Sequence, residues 1–136
     1  EVVTYLTDLR MRVMRYDVSA NKQLPDLVTY PGGEAYARKW TTGVAYRRDG
    51  TLLLLRGSFI DLLDDRGDSM RTIPLDAYGY AMITASADDR HVFCTNIFTG
   101  VMSKIELESG TIAGQIDTGF AKPQRSLAGV AEYRAS

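Results

Sequence analysis

Apolar positions along this 136-residue chain come in short runs, each closed by a turn signal, and no helical i, i+3, i+4, i+7 pattern lasts three turns. The clearest unit begins at Thr42. Residues 43–46 form an apolar run, Asp49-Gly50 closes a charged turn, and residues 51–55 form a second, more apolar run. Asp-Gly between two such runs predicts a hairpin, because glycine takes the positive φ of the tight turn without a Cβ clash. Strands over 59–64 and 70–75 complete the unit, with turns at Gly57-Ser58 and Asp65-Arg66-Gly67.

The same grammar reads along the rest of the chain. Residues 1–8 are rich in β-branched and aromatic side chains and predict a strand. Residues 13–18 alternate Val13, Arg15 and Asp17 against Met14, Tyr16 and Val18, the period of a half-buried strand. A short outer strand is expected over 24–30, weakened by Pro25, which cannot donate to a ladder. Pro31-Gly32-Gly33 then opens a loop carrying Glu34, Tyr36, Arg38 and Trp40. A further unit runs through 80–85, 91–95, 101–107 and 111–117, and a lone strand is expected over 127–133. The prediction is all-β.

The units repeat. Tyr5-Leu6-Thr7-Asp8 matches Phe93-Cys94-Thr95-Asn96, and residues 13–17 match 102–106, at offsets of 88 (Thr7 to Thr95) and 89 (Arg15 to Lys104). Two periods of about 44 residues, with four short strands in each, are the pattern of β-propeller blades. Gly129-Val130-Ala131 also copies Gly43-Val44-Ala45. On this phasing the strand at 127–133 is an innermost strand that completes the blade of residues 1–31, and blades over 42–75 and 79–119 follow. The expectation is one half-propeller domain of about three four-stranded antiparallel blades. Its ring would be closed by a second copy, as a homodimer, or by a missing N-terminal half. Thr42, Tyr78 and Ala128, each just before the glycine of an innermost strand, are expected to meet at the channel opening.

The Asp49-Gly50 hairpin, Tyr-Leu-Thr-Asp followed by Arg-Val-Met-Arg-Tyr-Asp, and Phe-Cys-Thr-Asn followed by Val-Met-Ser-Lys-Ile-Glu together resemble the regucalcin/gluconolactonase and strictosidine-synthase-like six-bladed propellers. That resemblance implies a lactonase- or esterase-like hydrolase, a small-molecule site at the channel mouth, and a divalent cation, often Ca²⁺, held there by acidic and amide side chains. Here the chain departs from the family. The position of the family's catalytic aspartate falls on Thr42, and its counterparts are Tyr78 and Ala128, none of them a carboxylate or amide. The resemblance covers scaffold motifs, which speak to fold rather than activity.

Composition narrows the partners. A formal charge of −1 gives no electrostatic reason to expect nucleic acid or an anionic membrane. The longest uninterrupted apolar run, 52–55, is far short of a membrane helix. Residue 1 opens directly on a strand-like run, so no secretion signal is expected in this chain, and the compartment stays open. Cys94 is the only cysteine, which rules out an internal disulfide.

The candidate binding residues are Trp40, Thr42, Tyr78 and Tyr80 in the connections into innermost strands, with Asp8 and Asn96 at the ends of second strands. Aromatics in such connections suit a small-molecule pocket or blade packing equally, while Asp8 and Asn96 also suit simple turn formation. His91 follows a turn and has no nucleophile beside it in sequence. Asp61, Asp64, Asp65 and Asp68 lack the ligand order of a calcium loop, and Ser58, Ser86 and Ser126 lie in no Gly-x-Ser-x-Gly elbow. Two functions follow: a lactonase-like small-molecule propeller, or a non-catalytic scaffold for protein interaction or self-assembly.

Overall fold

The computed structural model describes residues 2–7, 12–30 and 41–119. Eleven strands lie among them: β1 (Val3–Thr7), β2 (Arg12–Asp17), β3 (Lys22–Thr29), β4 (Gly43–Tyr46), β5 (Leu52–Leu55), β6 (Phe59–Leu63), β7 (Ser69–Pro74), β8 (Tyr80–Ala85), β9 (His91–Asn96), β10 (Val101–Glu106) and β11 (Ile112–Asp117). They form three antiparallel meanders, β1-β2-β3, β4-β5-β6-β7 and β8-β9-β10-β11. The all-β prediction holds, with the described strands in three antiparallel sheets of three or four strands. The strand expected over 127–133 lies outside the described residues, and among those residues β1 pairs only with β2.

The central sheet explains why its sequence is the most apolar. Leu52, Leu53, Leu54 and Leu55 are each at most 1% exposed, because this sheet is covered on both faces. Alternation in β5 sends Leu52 and Leu54 toward the first sheet, where they pack with Val13 and Leu63. Leu53 and Leu55 point the other way, into a cluster with Ile60, Ile73, Val92, Cys94 and Ile105. Full burial of each leucine stabilises by roughly 1.5–3 kcal/mol. The inner strands β4 and β8 approach closely: a Cβ on Gly43 would stand 3.2 Å from both the Ala81 carbonyl and Ile83 Cγ2.

The turns follow the local chemistry. Arg47 N–H donates to Thr51 O at 2.9 Å, Gly50 N–H donates to Arg47 O at 3.0 Å, and Gly50 takes φ +89°. Asp49 Oδ1 accepts the Thr51 N–H at 2.8 Å, which holds the Asp49 carboxyl below its ordinary range. Strand β3 runs through Pro25 as a bulge, with Pro25, Asp26 and Leu27 standing opposite Met14 alone. The Pro25 carbonyl accepts from Arg15 Nε at 2.9 Å.

Candidate functional site

Connections into β4 and β8, with the β5–β6 and β9–β10 turns, gather at one end of the second and third sheets. There Thr42, Tyr78 and Tyr80 line a common cleft of about 50 Å³ with Gly57, Gly79, Ala81, Ile97 and Phe98. The structure thus brings together three of the six candidate residues. Asn96 underlies them. Trp40 and Asp8, and Ala128 of the expected channel opening, lie outside the described residues.

Thr42 and Asn96 are already engaged by the main chain. Thr42 Oγ1 stands 3.2 Å from the Leu55 carbonyl and 3.0 Å from the Tyr80 carbonyl, so its hydroxyl ties β4 to both β5 and β8. Asn96 is fully buried, donates from Nδ2 to Tyr78 O at 2.9 Å, and accepts the N–H groups of Phe98 and Thr99 at Oδ1. That is an Asx turn closing β9 onto β10. Gly79 sits over it at φ +111°, and a Cβ there would fall 2.3 Å from the Phe98 ring and 2.7 Å from Asn96 Oδ1. Tyr78 packs on Phe98 with centroids 5.8 Å apart.

Tyr80 turns its phenol away from the cleft and into the seam between the sheets. Its hydroxyl bonds Asp76 Oδ1 and Ser103 Oγ, each at 2.7 Å, and Gln115 Nε2 donates to Asp76 Oδ2 at 2.8 Å and Ser103 Oγ at 3.0 Å. Burial, with the Asp76 carboxylate beside it, pushes the Tyr80 phenol up to about 12. A cleft this small is well under the several hundred Å³ of an ordinary ligand site.

The remaining sequence candidates disperse. His91 Nδ1 lies 2.7 Å from Asp88 Oδ2, and the Arg90 N–H, with His91 in support, holds the Asp88 carboxyl well below the usual range. Asp61 accepts from Ser69 Oγ at 2.5 Å, whereas Asp64 Oδ1 accepts the N–H groups of Arg66 and Asp68 at a different turn. Among the described residues no group of three His, Cys, Asp or Glu side chains is placed to hold a metal ion. Cys94 is buried and its thiol is pushed up to about 12.

Sequence reasoning missed two features. Arg56, 3% exposed, stacks on Tyr30 with its guanidinium carbon 3.9 Å from the ring centroid, between the first and second sheets. Its signal was a charge placed directly after four leucines. The second feature is a cleft of about 370 Å³ at the opposite end of the seam between the second and third sheets, lined by Arg47, Arg71 and Arg90 among others. Those three arginines are scattered in sequence, and only the stacking of the sheets collects them.

No protein-family model and no curated protein matches the chain. Solved structures do. A chain in a crystal structure of a nidogen/laminin complex superposes with TM-score 0.72 at 12% identity, over 93% of this chain and 46% of that one. The WD40 repeats of RRP9 give TM-score 0.65 at 10% identity over 93% and 37%. The hydrazine synthase of Kuenenia stuttgartiensis gives 0.60 at 14% over 84% and 32%. The chain therefore spans less than half the length of these solved chains. They lend no support to the narrower gluconolactonase resemblance. At these identities the likeness speaks to fold alone, and the fold is that of a β-propeller, with the sheets as its blades.

Proposed function

We propose that this chain is a non-catalytic propeller scaffold whose outer blade faces are covered by a second copy of itself. One observation carries the reading. The central blade is sealed on both faces, whereas the outward faces of its two neighbours carry apolar side chains in water. In the third blade Ile116 is 58% exposed, beside a groove of about 220 Å³ shared with Phe93, Met102 and Lys104. In the first blade, alternation puts Thr4, Leu6, Met14 and Tyr16 on the face opposite Tyr5 and Val13, and Leu6 is 49% exposed. These are the faces that blades press together in a ring, and exposed apolar surface of that kind favours association. Blades of a longer chain would cover them equally.

The scaffold reading is further supported at the expected channel mouth, where Thr42 and Asn96 are spent on main-chain bonds. The lactonase-like alternative draws on the sequence resemblance and the aromatic cleft at Tyr78 and Phe98. Ile116→Asp tests the choice, since it should leave the chain folded and convert a two-copy particle to a single chain. An unchanged particle mass in that variant would contradict the reading.

A further inference from the structure

We infer that the arginine-lined cleft binds an acidic peptide segment, an inference that rests on reading the chain as an interaction scaffold. Arg47 and Arg71 belong to the second blade, and both reach across the seam to the third. Arg47 Nη2 donates to Asp89 O at 3.0 Å, and Arg71 Nη1 donates to Leu107 O at 2.6 Å. Each bond fixes a guanidinium in place while using one of its five N–H donors. Arg47 Nε is buried with no hydrogen-bond partner, its nearest carboxylate oxygen being Asp89 Oδ1 at 3.8 Å. Arg90 completes the cationic lining from the β8–β9 turn, with its side chain exposed.

The rest of the lining selects the ligand. Leu62 and Leu107, both buried, give an apolar floor, and Glu106 and Glu108 stand on the same wall. Glu106 is held at its turn by Ser109 Oγ at 2.6 Å. Glu106 and Glu108 in the lining, with Asp89 paired to Arg47 at 3.8 Å, offset much of the cationic charge and disfavour a polyanion such as nucleic acid or a phosphate cluster. A peptide fits both signs: its Asp or Glu side chains meet the arginines in bidentate pairs, and its main-chain N–H groups donate to the glutamates. The volume, about 370 Å³, accommodates a few residues of extended chain.

Fluorescence anisotropy of a labelled Glu-rich nonapeptide, titrated with the full chain, provides the test. Saturable binding is expected, with loss when every Glu of the peptide becomes Gln and about tenfold weakening in Arg90→Gln. Arg71→Gln should weaken it similarly, and Arg90→Gln sits at an exposed turn where the fold does not depend on it. Absence of saturable binding, equal binding of the Gln peptide, or indifference to both substitutions would overturn the inference. Competition by glutarate at the peptide's own concentration would assign the cleft to small dicarboxylates instead, which also overturns it. Particle mass reports on the scaffold reading separately, so a failure of either is told apart from a failure of the other.

Discussion

At the scale of single residues, backbone geometry and buried hydroxyls decide more here than charge. Gly79 and Gly50 both lie at positive φ, yet only Gly79 is hemmed in by neighbours. Gly79→Ala should therefore cost about 3 kcal/mol or more, against about 1 kcal/mol for Gly50→Ala, as read by urea denaturation. Similar losses at both sites would contradict the packing at Phe98 and Asn96. Tyr80 and Cys94 make a second expectation. Their ordinary values are near 10 and 9, and burial lifts both to about 12. The folded chain keeps protons that the unfolded chain releases, so their contribution is complete below pH 9 and is lost as the pH rises toward 12. The urea midpoint should fall between pH 8 and pH 11, and Tyr80→Phe should flatten part of that fall. A midpoint that holds or rises would refute the seam geometry around Tyr80.

At the scale of elements, the run Leu52 to Leu55 shows what a sequence can and cannot say. Four consecutive leucines bounded by turn signals read as a strand, and β5 is that strand; its burial on both faces comes from the sheets on either side. Leu54→Ala opens the seam toward Val13 and Leu53→Ala the seam toward Cys94, so each should cost about 2–5 kcal/mol in chemical denaturation. A near-neutral result at either position would mean that one face of the central blade is not sealed. Strand order was legible because period-2 alternation and Gly or Asx turns are local signals. Thr42 and Tyr78 were legible as cleft neighbours because their places in the repeat are equivalent. The Asx turn at Asn96 was one of the two readings its place in the chain allowed. That Thr42 spends its hydroxyl on the Leu55 and Tyr80 carbonyls was not legible, since those bonds depend on how closely β4 approaches β8. The arginine cleft was hidden for the same reason: Arg47, Arg71 and Arg90 share no local pattern, only a seam.

At the scale of the molecule, a propeller blade is stable when a neighbour covers each face, and only the central blade meets that condition among the described residues. The outer faces around Leu6 and Ile116 are the ones that the proposed second copy would cover. The most direct measurement is the mass of the particle formed by this chain, by light scattering across a dilution series. The account predicts twice the 15.1 kDa chain mass, falling toward a single chain in Ile116→Asp. A well-behaved monomer at every concentration, with Ile116 open to water and the fold intact, would contradict it.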